Sequence, residues 1–132
     1  MHRPLRLTLD RSALAQNWRW LQERAGVPAG AAVKANGYGL GAREAAAALY
    51  GAGCRTFFVS TYAEAEELGQ LGEDAALVVL HGVGADEAEA AARSAARPVL
   101  NTVEQVRRWK EIAPDRACDV MVDTGMNRLG LR

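Results

Sequence analysis

Residues that mark several classes of protein are scarce in this sequence. Its 132 residues include only two histidines and two cysteines, and Cys54 and Cys118 are too far apart to form a Cys-x-x-Cys pair. We therefore expect two buried thiols of a reducing compartment and no disulfide. The same scarcity of histidine and cysteine leaves too few ligands for a metal site.

An excess of charge and long apolar runs are missing as well. The 16 basic and 16 acidic side chains balance, so the composition gives no reason to expect nucleic acid or a membrane surface as a partner. No run approaches the roughly 20 apolar residues that span a bilayer, and the N-terminus lacks the apolar segment of a secretory signal. These absences indicate a cytoplasmic protein, in which an apolar content of 49% is enough for one core.

Short apolar runs alternate with helix-forming segments along most of the chain. The runs cover residues 31–33, 56–59, 77–80, 98–100 and 120–122. Each is apolar enough to be buried on both faces of a sheet, and Thr61 with Glu64 and Thr102 with Gln105 form capping boxes before two of the intervening helices. Five parallel strands joined by right-handed crossovers suit a (β/α) barrel or an open doubly wound sheet. A complete barrel has eight strands, so if the sheet is a barrel, residues 10–132 form only part of it.

The first residues show a different period. Leucine alternates with polar residues over Leu5–Leu9, which is typical of a half-exposed strand and predicts one over residues 1–9. Asp10 then offers an N-cap for a helix with Trp18 and Leu21 on its apolar stripe.

A glycine-rich turn follows the second predicted strand. The apolar run stops on Lys34, and Gly37, Gly39 and Gly41 precede a helix-forming segment that starts at Ala42. Ligands of parallel sheets gather at the carboxyl ends of the strands, where a partly desolvated amine becomes a better nucleophile. The glycine spacing is neither a dinucleotide fingerprint nor a Walker loop.

Two segments of the sequence carry a family resemblance. Residues 33–41, Val-Lys-Ala-Asn-Gly-Tyr-Gly-Leu-Gly, closely resemble the pyridoxal 5'-phosphate (PLP) lysine motif of alanine racemases. Residues 122–130, Val-Asp-Thr-Gly-Met-Asn-Arg-Leu-Gly, resemble a second segment of the same family, in the family's order and roughly ninety residues further on. The resemblance covers the whole chain, but the chain corresponds only to the first part of such an enzyme. Residues 1–132 would therefore form one partial PLP-binding barrel domain.

The resemblance implies a role for each matching residue. Lys34 corresponds to the lysine that forms the Schiff base with PLP and acts as acid/base on one face of the substrate carbon. Tyr38 corresponds to a tyrosine that hydrogen-bonds the cofactor phosphate. Arg128 corresponds to an arginine near the phenolic oxygen of PLP and the substrate carboxylate, a role that suits a planar, permanently charged guanidinium. Many members carry a lysine, often carbamylated, where this sequence has Met121, so another group must orient Arg128 here.

The implied activity is PLP-dependent racemisation of L-alanine and D-alanine by a homodimer, which supplies D-alanine for cell-wall peptidoglycan. PLP is the electron sink for the carbanion at the alanine α-carbon. In this family a C-terminal β-domain delivers the second acid/base, a tyrosine, to the partner subunit and also pairs with the N-terminal strand. This sequence would carry only the lysine half of the site, and its 132 residues alone are expected to be inactive and to fold poorly.

Two alternatives stay open. One is a racemase of the same fold that acts on serine, lysine or a broader set of amino acids, because residues that set the size of the pocket are mostly absent from the sequence. The other is a non-catalytic PLP-binding barrel with a role in cofactor homeostasis. The N-terminal strand argues against the second alternative, since such barrels have no β-domain for that strand to join.

Overall fold

The computed structural model describes residues 5–132. Helices and strands alternate within them in the order α1 (Arg11–Ala25), β1 (Ala31–Ala32), α2 (Lys34–Tyr38), α3 (Ala42–Ala52), β2 (Thr56–Val59), α4 (Tyr62–Leu68), β3 (Ala76–Val79), α5 (Ala88–Arg93), β4 (Arg97–Leu100), α6 (Val103–Ile112) and β5 (Asp119–Val120). All five predicted strands are present, and each begins within one residue of its predicted start. The β-branched and aromatic content of the runs, as in Thr-Phe-Phe-Val of β2, favours extended backbone.

The five strands form one parallel sheet in the order β1-β2-β3-β4-β5. Neighbouring strands are consecutive in sequence, and pairs such as Phe57 with Leu77 and Leu100 with Val120 set the register. A doubly wound sheet would place later strands on both sides of the first and so reverse the order once. The uninterrupted order identifies an incomplete α/β barrel, which confirms the predicted fold class and decides between the two architectures.

Side-chain alternation along the strands gives the sheet a helix-covered face and a barrel-facing face. Val33, Phe57 and Val59 are buried in the cluster that packs against the helices, and burial of each such side chain contributes about 1.5–3 kcal/mol. Ala32 and Phe58 are partners in the register and occupy the alternate, barrel-facing positions. Ala32 is exposed and Phe58 is half-buried, so the core of the described chain lies between the sheet and its helices.

The N-terminal strand predicted over residues 1–9 is not formed in the described part of that segment. Residues 5–10 have no regular secondary structure, and Leu5 and Leu7 are 88% and 67% exposed; residues 1–4 lie outside the described range. A strand exists only through pairing of its backbone N–H and C=O groups, and no strand within residues 5–132 pairs with this segment. Alternating leucines therefore signal a strand without supplying its partner.

The first helix, α1, begins where the sequence predicts. The Asp10 carboxylate accepts a hydrogen bond from the backbone N–H three residues on (2.9 Å), and Gly26, in the left-handed region, ends the helix. Trp18 is buried, and its indole N–H donates to the carbonyl oxygen of Ala29 (3.1 Å). Leu21, which was predicted on the same stripe, is exposed, so the buried face of α1 is narrower than its apolar spacing indicates.

The two cysteines have different surroundings. Cys54 is fully buried, and its sulfur lies within hydrogen-bonding distance of the carbonyl oxygens of Ala29 (3.6 Å) and Thr56 (3.4 Å). Burial raises the pKa of this thiol, which makes it a poor nucleophile at neutral pH. Cys118 is exposed, so the expectation of two buried thiols is wrong for the second.

Candidate active site

Lys34 lies at the carboxyl edge of the sheet, immediately after β1. The backbone N–H of Val33 donates to the carbonyl oxygen of Phe58 (2.9 Å), so the pairing of β1 with β2 continues up to the residue before the lysine. Lys34 opens α2 and is half-buried. The structure therefore places this lysine at the strand end, where the sequence predicts it.

The turn after the lysine is left-handed. Ala35, Asn36, Gly37 and Tyr38 have φ angles of +52°, +51°, +63° and +55°, and Gly39 continues at +87°. The segment α2 is therefore one turn of left-handed helix, a conformation that costs a non-glycine residue about 1–2 kcal/mol. Three non-glycine residues carry this cost, so the turn persists only because surrounding contacts hold it.

Asn36 joins the turn to α3. Its side-chain Oδ1 accepts a hydrogen bond from the N–H of Ala42 (2.9 Å), and its backbone carbonyl accepts one from the N–H of Gly41 (2.9 Å). The side chain thus satisfies a donor that the start of α3 would otherwise leave unpaired. Gly37 is buried beside it, and a β-carbon there would come within 3.1 Å of the Ala42 backbone, so both φ and space require glycine at 37.

Glu64 holds the other side of the turn. Its Oε1 accepts a hydrogen bond from the N–H of Ala35 (2.9 Å), and its Oε2 accepts one from the N–H of Ser60 (2.7 Å). Burial by itself would raise the pKa of this carboxyl, but the N–H groups of Ser60, Ala35 and Thr61 outweigh it and bring the pKa below its usual value. Glu64 is therefore a carboxylate at neutral pH, with both oxygens engaged.

Sequence reasoning found only the local part of this arrangement. The threonine half of the capping box predicted from Thr61 and Glu64 is present, since the Thr61 hydroxyl oxygen accepts a hydrogen bond from the Glu64 N–H (3.2 Å), whereas the Glu64 carboxylate accepts the N–H of Ser60, the residue before the cap. The link to Ala35 spans 29 residues and was missed. The one available signal was an acid three residues after a threonine at the end of the strand that neighbours the lysine strand.

The same connection recurs two strands later. The Oε1 of Gln105 accepts a hydrogen bond from the N–H of Asn101 (2.7 Å), and its Nε2 donates to the carbonyl oxygen of His81 (3.0 Å). Gln105 thus joins the ends of β3 and β4 as Glu64 joins those of β1 and β2. The residue type matches the partners, because two N–H donors face the carboxylate whereas one N–H and one C=O face the amide.

Tyr38 is the last residue of α2 and is 65% exposed. Its hydroxyl makes no hydrogen bond with any of the described residues 5–132. The predicted role of Tyr38 in holding a phosphate group is compatible with this exposure and stays a prediction.

Arg128 lies in a tight loop after β5. The Asp123 carboxylate accepts hydrogen bonds from the N–H groups of Asn127 and Gly125 (both 3.0 Å), and these two donors lower the pKa of Asp123. At the end of the loop, Leu131 pairs with Val122 through an isolated parallel bridge. Arg128 lies exposed within this loop, and its guanidinium has no hydrogen-bond or ion-pair partner in the part of the chain that the structure describes.

The structure does not bring Arg128 against Lys34. The two residues follow β5 and β1, which are the edge strands of the sheet, and no hydrogen bond or ion pair within residues 5–132 connects them. The carboxyl ends of barrel strands form one face of the barrel, so both residues belong to that face at opposite edges of the sheet. Met121, half-buried near the end of β5, offers no charge or hydrogen-bond donor to orient Arg128.

One cavity among the described residues lies away from the three predicted site residues. It is a groove of about 1030 Å³ between α4 and α5, and Tyr62 and Arg116 are among its lining residues. A smaller hollow of about 220 Å³ lies beside the left-handed turn, lined in part by Asn36 and Glu64. The candidate site is therefore defined by strand ends and their turns and not by an enclosed pocket.

Membrane-spanning helices and clustered metal ligands are both absent from residues 5–132. No helix there is both long and apolar enough to cross a membrane. The same residues contain no group of three histidine, cysteine, aspartate or glutamate side chains placed to hold a metal ion.

Parallel strands in sequential order, helices over one face and a lysine on the turn after the first strand define the class: an α/β-barrel protein with its candidate site at the carboxyl ends of the strands. Residues 9–132 match the family model described as "Alanine racemase, N-terminal domain". The chain belongs to this family.

Curated relatives agree with this assignment. The biosynthetic alanine racemase of Agrobacterium fabrum is 42% identical over 132 residues, covering 97% of this chain and 34% of that protein. The alanine racemase of a Methylobacterium strain is 44% identical over 131 residues, covering 96% and 36%. The chain therefore spans about a third of the length of the curated relatives that it matches.

Solved structures give the same picture. Alanine racemase from Bartonella henselae, with covalently bound pyridoxal phosphate, superposes with a TM-score of 0.84 at 38% identity, over 94% of this chain and 36% of that one. A histidine racemase from Leuconostoc mesenteroides superposes with a TM-score of 0.79 at 27% identity, over 92% and 34%. Racemases of more than one amino acid therefore share this arrangement of strands and helices.

Proposed function

We propose that this chain forms the lysine-bearing part of a PLP-dependent alanine racemase. The observation that carries the proposal is the position of Lys34, half-buried at the carboxyl end of β1 and followed by a strained turn that neighbouring side chains hold in place. Strain of this kind concentrates at sites that must hold a reacting group in one orientation. The bound pyridoxal phosphate of the Bartonella henselae relative and the alanine racemases at 42% and 44% identity support the same activity.

The described residues fit the proposed cofactor in their chemistry. A primary amine is the group that condenses with an aldehyde, and Lys34 provides one at the strand end. Phosphate and carboxylate groups are bound by hydroxyl and guanidinium donors, which Tyr38 and Arg128 offer in exposed positions. PLP, when bound, supplies the electron sink that makes the α-proton of an amino acid removable.

Each residue then has a definite task. Lys34 binds the cofactor and takes or returns a proton on one face of the substrate α-carbon, which requires its amine to be held within hydrogen-bond reach of that proton. Tyr38 binds the phosphate group, and Arg128 orients the substrate carboxylate. The second proton-transfer group, a tyrosine in the resemblance described above, would come from the partner subunit of a homodimer.

Alanine is the proposed substrate, and the product D-alanine would serve cell-wall synthesis. The curated relatives at 42% and 44% identity are alanine racemases, whereas the histidine racemase shares 27%. The test is a racemisation assay of the protein expressed from its complete coding sequence, with L-alanine, L-serine, L-lysine and L-histidine measured side by side. Turnover of alanine at least tenfold faster than the others is expected, and rescue of a bacterial strain that requires D-alanine would connect the activity to the cell wall. Cofactor binding without racemisation of any of them would favour a non-catalytic barrel.

The role of Lys34 is tested by trapping the bound cofactor. Borohydride reduction of the PLP-loaded complete protein, followed by peptide mapping, is expected to place the label on Lys34. Lys110, the one other lysine of the sequence, is exposed on α6 and provides a matched control. Lys34→Ala is expected to lower racemisation by at least about 10³-fold, because covalent attachment and proton transfer are lost together, and Lys110→Ala to leave it largely intact. A label on Lys110 would overturn the assignment.

A further inference from the structure

The left-handed turn after Lys34 needs a support that the lysine motif does not contain. Within the motif, Asn36 ties the turn to α3, but the N–H of Ala35, the residue next to the lysine, points out of the turn toward α4. There it donates to the Oε1 of Glu64 (2.9 Å). Glu64 belongs to the following βα unit, and its second oxygen accepts the N–H of Ser60 at the end of β2 (2.7 Å).

We propose that Glu64 is a positioning residue of the racemase site, which acts by holding the turn that carries Lys34 against the end of β2. The inference rests on the proposed function in assigning Lys34 to a racemase site. The positioning of Lys34 itself is argued from the hydrogen bonds of Glu64. Ala35 is a non-glycine residue at φ +52°, a conformation that reverts unless a contact maintains it. Glu64 provides that contact, and the direction of the Lys34 side chain follows from the backbone that the contact maintains.

The carboxylate is specifically required. Both of its partners are N–H donors, and a carboxylate is the side chain that accepts at both oxygens. An amide of the same shape would turn an N–H₂ group toward the N–H of Ala35 or of Ser60. Gln105 provides an internal comparison, because its partners are one N–H and one C=O, and there the amide is the matching group.

This comparison supplies a matched pair of variants. Glu64→Gln and Gln105→Glu each exchange a single side-chain atom and each leave one connection between neighbouring strand ends mismatched. Of these two residues, Glu64 is the one that hydrogen-bonds the turn after the lysine. Amide hydrogen exchange of a peptide covering residues 33–41, in the PLP-free complete protein, is expected to be at least about tenfold faster in Glu64→Gln and within twofold of the parent in Gln105→Glu, since hydrogen bonds to charged groups are the stronger ones.

A second readout follows the lysine itself. Trapping of PLP on Lys34 with borohydride is expected to be several-fold slower in Glu64→Gln, with kcat for alanine reduced about tenfold and KM changed less. Adding Ala35→Gly to Glu64→Gln should restore much of the trapping rate, because glycine adopts positive φ without a steric penalty. This double variant also serves if Glu64→Gln alone does not fold.

Unchanged amide exchange and unchanged PLP trapping in Glu64→Gln would overturn the proposal. Equally fast exchange and equally slow trapping in Gln105→Glu would also overturn it, because the effect would then be one of general stability. Absence of rescue by Ala35→Gly would likewise exclude the turn as the point of action. Racemisation by the unmodified protein tests the proposed function separately. If that assay fails while the exchange comparison succeeds, Glu64 still positions Lys34 and only the assigned reaction is wrong.

Discussion

Tyr62 places a hydroxyl in the protein interior without a partner. Its side chain is 7% exposed, and the hydroxyl makes no hydrogen bond within residues 5–132. Leaving a buried polar group unpaired costs desolvation free energy, and replacing it by an apolar group of the same shape removes that cost. We therefore expect Tyr62→Phe to raise the free energy of unfolding by about 1 kcal/mol, measured by denaturant unfolding at neutral pH.

The same burial gives this residue a pH signature. It raises the pKa of Tyr62 from 10.0 to about 12, so between these values the folded state keeps a proton that the unfolded state has lost. The contribution of this hydroxyl to the free energy of unfolding is therefore fully present below pH 10 and is lost as pH rises through about 12. The free energy of unfolding of Tyr62→Phe should lack this decline. Tyr50→Phe is the control for the effect on stability, because the Tyr50 hydroxyl donates a hydrogen bond to Asp74. Removal of that hydroxyl should lower the free energy of unfolding. A Tyr62→Phe variant less stable than the parent would show that the hydroxyl has a partner.

Individual residue roles differ in how far they could be predicted from the sequence. Lys34 was predicted because a motif and a strand end coincide on it; the structure places it directly after β1, and its catalytic role stays a prediction. Glu64 was predicted only as a helix cap. The reason is distance along the chain: a cap is a contact between residues three apart, whereas the contact with Ala35 depends on which strand lies beside which.

At the scale of the element, Gly130 closes the loop that carries Arg128. Its φ is +112°, and a β-carbon there would lie 2.8 Å from the backbone nitrogen of Asp123. Gly125, in the same loop, also has positive φ (+135°) but no atom within 4 Å of the corresponding position. The two sites therefore share a conformational penalty and differ in the clash.

We expect Gly130→Ala to displace the loop and to raise the KM for alanine by about tenfold, because crowding of this kind costs about 1–3 kcal/mol. Gly125→Ala should have a clearly smaller effect. Steady-state kinetics of the complete protein compare the two variants. Equal values of KM for both would mean that the clash at Gly130 is relieved without moving Arg128.

The strands and most helices were predictable because their signals are local. Apolar runs, N-caps such as Asp10 and Thr102, and the helix start at Ala42 each depend on neighbours within one or two turns. The left-handed turn of α2 was not predicted, since three of its four consecutive positive-φ residues are not glycine and their intrinsic preference is for other conformations.

At the scale of the whole molecule, the described chain leaves apolar surface and strand edges uncovered. Leu5, Leu7, Val120 and Val122 are exposed, and β1 and β5 each have one edge without a partner in residues 5–132. Unpaired edges of this kind promote association with other chains. A polypeptide of these 132 residues is therefore expected to self-associate at micromolar concentration and to show no racemisation of alanine.

Sedimentation velocity measures the association directly. A Val120→Lys variant should associate less, because lysine on the edge strand β5 discourages pairing. Substitution of an exposed residue away from both edges, Val27→Lys, is the control. A monomeric parent with a cooperative melt would contradict the role assigned to the open edges.

The sequence by itself determined the alternation of strands and helices, the lysine at a strand end and the membership of a family, because these depend on local periodicity and on two contiguous motifs. Only the tertiary structure decided that the strands are consecutive across the sheet, that Leu5–Leu9 forms no strand without a partner, and that a carboxylate from the next βα unit supports the turn after Lys34. Each of these depends on pairing between segments that are distant along the chain, and hydrogen bonds of that kind exist only once the sheet has formed.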